Sequence, residues 1–201
     1  MDTLHIIGAK GNIGSRLVEK TEGKYNIRKV VSPARSNLFS VDSGYYVLNL
    51  ADDIHTYNFD TLKEGDIVAF TAAISAPSVC AEQFDVAMKV NVESTGEFIQ
   101  QALDRGCKVI FLSSDAVYGR SEDELDESQP LNPLGVYAKM KVIVEKRFIG
   151  NSKLFNGNAM ESRVKAKVKT GWLKWERGGK DGVPGWQRWG TRVAKMGYPG
   201  G

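Results

Sequence analysis

Three glycines at a strict spacing of three residues, Gly8, Gly11 and Gly14, place the strongest constraint on the fold of this chain. The apolar stretch TLHII precedes them, and SRLVEK after them is typical of a helix start. A strand that runs straight into a helix leaves the first helical amides unpaired, with a partial positive charge. Glycine permits positive φ in this turn, and it lets the backbone approach a phosphate and the helix approach the strand closely. The segment predicts a strand–turn–helix unit that can bind a pyrophosphate, the alternative being a turn needed only for packing.

Short apolar runs alternate with amphipathic segments over residues 1–150. Five runs predict strands: LHIIG, YNIRKVV, YYVLNL, DIVAF and KVIFLS. Helices are predicted over residues 12–20, from about Cys80 to Arg105, and over VYAKMKVIVEKRF. In the last helix one apolar stripe contains Val136, Met140, Ile143, Val144 and Phe148. This alternation indicates an α/β fold with a doubly wound parallel sheet, which binds ligands at the carboxyl ends of its strands.

Several classes of protein are excluded by composition. No apolar run approaches the roughly 18 residues of a membrane span, and MDTLHIIG lacks the features of a secretory signal, so we expect a cytoplasmic protein without membrane contact. Cys80 and Cys107 form no disulfide framework and are interpreted as small buried or half-buried thiols. His5 and His55 each lack a second ligand at helical or hairpin spacing, so no metal site is predicted.

The composition changes abruptly near Gly150. Residues 151–201 contain 11 Lys and Arg against 3 Asp and Glu, whereas residues 1–150 have a net charge of −5. All four tryptophans and ten of the 21 glycines also lie in residues 151–201. We therefore predict a folded domain over residues 1–150 and a basic Gly/Trp-rich tail of unknown structure over residues 151–201.

Four further segments follow the glycine turn in a fixed order: FTAAIS, VNVESTGEFIQQA, SSDAVYG and YAKMK. Together with the GxxGxxG spacing, they resemble the extended, nucleotide-sugar-modifying branch of the short-chain dehydrogenase/reductase superfamily over about residues 3–149. SSDAVYG is similar to the family's S/T-x-x-V-Y-G segment, and YAKMK supplies a Y-x-x-x-K pair. Ser94 departs from the family's VNxxGT pattern, in which glycine is usual. The resemblance implies a Rossmann fold.

The catalytic residues that this resemblance implies are Ser114, Tyr137 and Lys141. Tyr137 and Lys141 are four residues apart on a predicted helix and share one face. A free tyrosine has a pKa near 10, and we expect the neighbouring ammonium to lower it so that Tyr137 can exchange a proton with a substrate oxygen. Ser114 would hydrogen-bond the same oxygen, and Asp115 either assists or forms a turn.

The resemblance also implies a nicotinamide cofactor. The expected cofactor-binding residues are Gly8, Gly11, Asn12, Ile13, Gly14, Arg35, Asn49, Leu50, Thr71, Ala72, Ala73, Asn91, Tyr137 and Lys141. The second strand ends in VVSPARSN, without the acidic residue that would bind the ribose of NAD. Arg35 can pair with a 2′-phosphate, so NADP is favoured over NAD unless Arg35 is only a solvated loop charge.

The reaction stays open among nucleotide-sugar epimerase, dehydratase and 4-keto reductase. After Phe148 we recognise neither a sixth strand nor a substrate domain. We expect a shifted reading frame or a truncated gene to explain the unusual composition of residues 151–201. Without a sixth strand, one edge of the sheet is expected to be open. A non-catalytic NAD(P)-binding module is the alternative. Lys and Arg interleaved with Trp offer a weaker alternative, nucleic-acid binding by the tail. A homodimer is expected by analogy with the family.

Overall fold

A computed structural model describes residues 2–36, 44–120, 129–149, 167–170 and 192–196 of the chain. The side chains of residues 35, 36, 149 and the last two ranges lie outside this description. None of the described helices is long and apolar enough to cross a bilayer.

One twisted sheet forms the centre of the fold. Its strands are β1 (Thr3–Ile7), β2 (Asn26–Val31), β3 (Tyr45–Val47), β4 (Ile67–Phe70), β5 (Lys108–Leu112), β6 (Lys167–Thr170) and β7 (Arg192–Met196). They lie in the order β3-β2-β1-β4-β5-β7-β6. The first five strands along the chain pair in parallel, which confirms the doubly wound α/β fold and places their carboxyl ends at one edge.

Helices connect the parallel strands. Their bounds are α1 (Asn12–Thr21), α2 (Pro33–Ser36), α3 (Pro77–Glu82), α4 (Phe84–Met88), α5 (Thr95–Asp104) and α6 (Val136–Ile149). Short 3₁₀ turns cover Ile54–Thr56, Phe59–Thr61 and Asp115–Tyr118. The predicted positions of the strands and of the first and last helices are therefore confirmed to within a few residues.

The single helix predicted from about Cys80 to Arg105 is wrong in detail. Three α-helices share this region, and a π-helical segment, Lys89–Ser94, joins α4 to α5. The hydroxyl of Thr95 donates to the carbonyl of Val90, five residues earlier, at 2.7 Å. The spacing of apolar residues at 3.6 per turn cannot reveal this widened turn. The π-helical segment changes the backbone hydrogen bonding, while the chain stays helical.

The core lies between the sheet and the helices, with Phe70, Phe98 and Phe111 fully buried. The predicted apolar stripe on α6 is partly wrong. Met140 and Val144 are buried as expected, whereas Ile143 is 46 % exposed. Two charged residues of α6, Lys141 and Glu145, are buried instead at 3 % and 2 % exposure. The face of α6 toward the sheet is therefore partly polar.

The sheet edge beyond β5, which we expected to be open, is occupied. Strand β7 pairs with β5 in antiparallel register, with Val109 opposite Met196, and β6 pairs in the same sense with β7. Both strands come from residues 151–201. That stretch was predicted to lack a legible strand because its short apolar runs are dispersed among glycines and charges.

Candidate functional site

The glycine turn connects β1 to α1 through tight packing at two of its glycines. Gly8 has a φ of +94°, and a Cβ there would lie 2.8 Å from both the amide nitrogen of Ala72 and the hydroxyl of Thr71. A Cβ on Gly14 would overlap the carbonyl oxygen of Gly8. Gly8 and Gly14 are therefore required for close approach of β1, α1 and the end of β4.

The middle glycine has a different environment. Gly11 precedes α1 with an extended backbone, and an added Cβ would meet only the carbonyl oxygen of Gly8, at 3.1 Å. No described side chain caps α1 at this residue. The amide groups at this end have no partner within the helix itself, so they are suited to an anionic group.

A cavity of about 290 Å³ lies beside this helix start, at the carboxyl ends of β1, β2 and β4. Seven predicted cofactor residues line it: Gly8, Gly11, Asn49, Leu50, Thr71, Ala72 and Ala73. No carboxylate occurs among the described residues of its lining. Asn12, Ile13 and Gly14 lie in the first turn of α1 and do not line the cavity, and Ile13 is 40 % exposed.

Sequence reasoning missed the other nine lining residues, among them Lys10, Ser32, Ile74 and Val90. Lys10 is the most informative, because it adds a positive charge to the lining of the cavity; its ammonium lies 4.5 Å from the centroid of the Tyr45 ring. Its position within the glycine turn was the available signal. The backbone of Arg35 lies in α2, but its side chain is outside the described residues, so the pairing with a 2′-phosphate stays a prediction.

Asn91, predicted to bind cofactor, uses its side chain within the protein. Its amide oxygen accepts from the Ile74 amide and its amide nitrogen donates to the Ile74 carbonyl, both at 2.9 Å. The residue is 2 % exposed and belongs to the π-helical segment. Asn91 therefore fixes the cavity-lining backbone of Ile74, and its contact with a cofactor stays a prediction.

Ser114 and Asp115 form the turn that follows β5. The Ser114 hydroxyl accepts from the Ala116 amide and donates to the Asp115 carboxylate, both at 3.2 Å. Ser114 thus caps the 3₁₀ turn Asp115–Tyr118 and is 5 % exposed. Of the two roles left open for Asp115, the structure shows the turn.

Lys141 is fixed against the end of β5. Its ammonium donates to the Leu112 carbonyl at 2.8 Å and lies 4.5 Å from the centroid of the Phe111 ring. The same nitrogen is 5.5 Å from the centroid of the Tyr137 ring, so the structure brings the predicted pair together on α6. Neither residue lines the 290 Å³ cavity.

The predicted lowering of the Tyr137 pKa is wrong for the protein alone. Burial raises the pKa of Tyr137 to about 12, and the charges of Cys80 and Asp115 act in the same direction. Burial also lowers the pKa of Lys141 to about 8, against the opposing charge of Glu145. The expectation failed because it counted the ammonium and left out the loss of water around the phenol.

Cys80 and Cys107 are both free and buried, as predicted. The pKa of each thiol is raised by burial, that of Cys107 to about 11. Within the described part of the chain, no group of three or more His, Cys, Asp or Glu residues is arranged to hold a metal ion.

The parallel sheet with flanking helices and the glycine turn define a Rossmann-like domain. The chain belongs to the NAD dependent epimerase/dehydratase family, whose profile matches residues 4–157. Over 144 residues it is 31 % identical to N-acetyl-alpha-D-glucosaminyl-diphospho-ditrans,octacis-undecaprenol 4-epimerase of Escherichia coli O157:H7, covering 70 % of this chain and 40 % of that protein.

A second curated relative and a solved structure are also similar to this chain. Methionine adenosyltransferase 2 subunit beta of Bos taurus is 29 % identical over 107 residues, 52 % of this chain and 31 % of that protein. The structure of UDP-glucuronic acid 4-epimerase from Bacillus cereus in complex with NAD superposes with a TM-score of 0.60 at 21 % identity, covering 76 % of this chain and 52 % of that one. The chain thus spans less than half the length of either curated relative.

Proposed function

We propose that this chain binds a nicotinamide dinucleotide and uses Ser114, Tyr137 and Lys141 in the epimerisation, dehydration or 4-keto reduction of a nucleotide-linked sugar. One observation carries the proposal. The glycine-lined cavity occupies the carboxyl ends of β1, β2 and β4, while Ser114 and the Lys141–Leu112 hydrogen bond lie at the same end of β5.

The cavity residues fit the dinucleotide. The uncapped start of α1 at Gly11 suits the pyrophosphate, because a side chain larger than hydrogen would occupy the space that a phosphate needs. Asn49 and Leu50 would contact the adenosine half, and Thr71 to Ala73 would pass alongside the cofactor. When bound, the cofactor supplies hydride transfer and, in its oxidised form, a positive charge.

Tyr137 would exchange the proton. A phenol with a pKa of about 12 is a weak base at neutral pH, so the bound state must favour the phenolate. Positive charge beside the ring does this, and the Lys141 ammonium is one source at the site. Ser114 can redirect its hydroxyl from Asp115 to a substrate oxygen, because the contact at 3.2 Å is a long hydrogen bond.

Among the three reactions, 4-epimerisation has the most support. The Escherichia coli relative is named as a 4-epimerase of an N-acetylglucosaminyl diphosphate carrier, and the family is described by epimerase and dehydratase activity. Cofactor preference is a finer proposal: Lys10 at the cavity and Arg35 after β2 favour NADP over NAD.

A homodimer belongs to the same proposal. Large apolar side chains are exposed on α4 and α6: Phe84 at 50 %, Val86 at 44 % and Ile143 at 46 %. Burial of these faces against a second copy would remove them from water. Sedimentation equilibrium tests the dimer.

A turnover assay tests the proposed activity. The purified chain is incubated with NAD⁺ or NADP⁺ and UDP-N-acetylglucosamine or UDP-glucose, and the 4-epimer is detected by proton NMR. We expect product with the wild type and a loss of about 10²–10⁴-fold with Tyr137→Phe, at nearly unchanged cofactor affinity. Equal turnover in the variant would remove Tyr137 from its role.

The non-catalytic alternative is a specific outcome of this assay. Two observations favour a non-catalytic module. The chain spans less than half the length of each curated relative, and one of those relatives is named as a subunit of another enzyme. Cofactor binding without any change of the sugar in the wild type, over all four combinations of substrate and cofactor, would count against epimerisation and dehydration of these sugars and favour that alternative.

A further inference from the structure

A buried carboxylate lies one helical turn beyond the proposed catalytic pair. Glu145 of α6 is 2 % exposed, and its carboxylate accepts a hydrogen bond from the hydroxyl of Ser113 at the end of β5. A carboxylate is rarely buried unless it is paired or strongly hydrogen-bonded, because burial removes its hydration. Its partner Ser113 directly precedes Ser114 in the chain, so the buried carboxylate lies beside the proposed site.

The sequence positions Glu145 to act on Lys141. The two residues are four apart on α6, a spacing that brings their Cβ atoms within about 5–6 Å. Both side chains are buried, at 3 % and 2 % exposure, so little water screens their charges. Both are also anchored to successive residues of one strand end, Lys141 on the Leu112 carbonyl and Glu145 on the Ser113 hydroxyl.

We propose that Glu145 is a positioning residue that keeps Lys141 positively charged inside the protein and holds α6 against the end of β5. The assignment rests on the proposed role of Lys141 at the site. Ser113, which precedes the proposed catalytic serine, is the anchor that orients the carboxylate.

The surroundings make this support necessary. Burial favours the neutral amine and lowers the pKa of Lys141, while the charge of Glu145 opposes that effect. Among the described residues, the Cys80 thiol on α3 is the other titratable group that acts on Lys141, and it does so only once ionised, which its burial opposes. On the turn after β5, Asp115 acts on Tyr137. Glu145 is the stronger of the two supports for the cation, and it acts from the same helix as Tyr137.

The titration of Lys141 tests the proposal without any need for turnover. The chain is labelled with ¹³Cε-lysine, and the Lys141 resonance is assigned by its loss in Lys141→Arg. In the wild type we expect a midpoint near pH 8. Glu145→Gln should lower that midpoint by about 1 pH unit or more, and Glu145→Asp, which keeps the charge, should restore most of the shift. An unchanged midpoint in a folded Glu145→Gln chain would overturn the proposal.

A second measurement covers the case in which Glu145→Gln does not fold. Lys141→Met leaves the carboxylate buried without its cation, so its melting temperature should fall below that of the wild type. Adding Glu145→Gln to Lys141→Met should recover part of the loss. A double variant that melts no higher than Lys141→Met would contradict the coupling.

Activity separates this proposal from the proposed function. If the wild type turns substrate over, the alkaline limb of its pH profile should move to lower pH in Glu145→Gln, together with the Lys141 midpoint. If the wild type shows no turnover, the proposed function fails, while the titration and melting experiments still decide the role of Glu145.

Discussion

The carbonyl oxygen of Gly8 lies where a Cβ on Gly14 would be, so the first turn of α1 packs directly against the end of β1. Gly11 lies between them in the chain. A Cβ on Gly11 would meet only the carbonyl oxygen of Gly8, at 3.1 Å. The outer two of the three evenly spaced glycines therefore allow the packing, and we propose that the middle one leaves room for a ligand.

Alanine substitutions should separate these roles. Gly14→Ala must displace backbone and should cost about 3 kcal/mol of unfolding free energy, as overpacking does. Gly11→Ala should cost about 1 kcal/mol or less and yet weaken dinucleotide binding at least about tenfold, because its Cβ enters the phosphate space. Urea denaturation and calorimetry measure the two effects. Full affinity in a folded Gly11→Ala chain would contradict the assignment.

Ser94 offers a gain in stability. Its hydroxyl is fully buried and has no hydrogen-bond partner among the described residues, at a position where the family usually has glycine. Ser94→Ala removes the unpaired group and should raise the unfolding free energy by about 1 kcal/mol. Ser94→Gly is the control: it removes the same hydroxyl but adds backbone freedom, so it should be less stable than Ser94→Ala. A lower melting temperature for Ser94→Ala than for the wild type would contradict the prediction, because it would mean that the hydroxyl makes a stabilising hydrogen bond.

His5 should make stability depend on pH. Its ring is fully buried, 3.1 Å from the Asp66 carboxylate, and burial lowers its pKa below the ordinary 6.5, with Arg28 acting in the same direction. The unfolded chain then binds a proton before the folded one does. Stability is full above pH 6.5 and is lost as the pH falls from 6.5 through the lower folded pKa.

Denaturation between pH 7 and pH 5 measures this loss. His5→Phe should flatten the pH dependence, although it also removes the bond to Asp66 and so lowers stability at pH 7. His55→Gln is the control: it removes the other histidine of the chain, whose side chain is 62 % exposed and lies 2.8 Å from the Glu97 carboxylate, and so measures what an exposed histidine contributes to the profile. If the unfolding free energy of the His5→Phe variant depends on pH as strongly as that of the wild type, the prediction is wrong.

Cofactor choice should depend on Arg35. We expect Arg35→Ala to weaken NADPH binding about tenfold through loss of a charge-assisted hydrogen bond, with little effect on NADH. Arg28→Ala serves as a control because that guanidinium lies 4.1 Å from the centroid of the Tyr46 ring and does not line the cavity. Equal loss for both cofactors, or for neither, would remove Arg35 from this role.

Much of the fold was predictable because it follows from local patterns. Apolar runs such as DIVAF predict buried parallel strands, and the glycine spacing predicts the turn into α1. The buried Lys141 and Glu145 were harder to interpret, since a charged residue on a helix normally faces water and only tertiary packing decides otherwise. The π-helical segment around Asn91 was not predictable from apolar spacing, and the opposing effect of burial on Tyr137 required the packed structure.

The residues of the candidate site could be predicted from the sequence, whereas the hydrogen bonds that hold them could not. The order of Ser114, Tyr137 and Lys141 could be inferred from their motifs. Their anchors could not, because the Leu112 carbonyl and the Ser113 hydroxyl carry no signal at the level of residue type. Lys10 was missed although it lies within the glycine turn, because its contact with the cavity depends on the path of that turn.

A calorimetric titration of the purified chain with NADPH and, separately, with NADH is the most direct test of the central claim. We expect saturable binding at one site per chain, tighter for NADPH. Absence of binding for both cofactors would contradict it, because the glycine turn and the cavity would then be present in a chain that does not form the dinucleotide site.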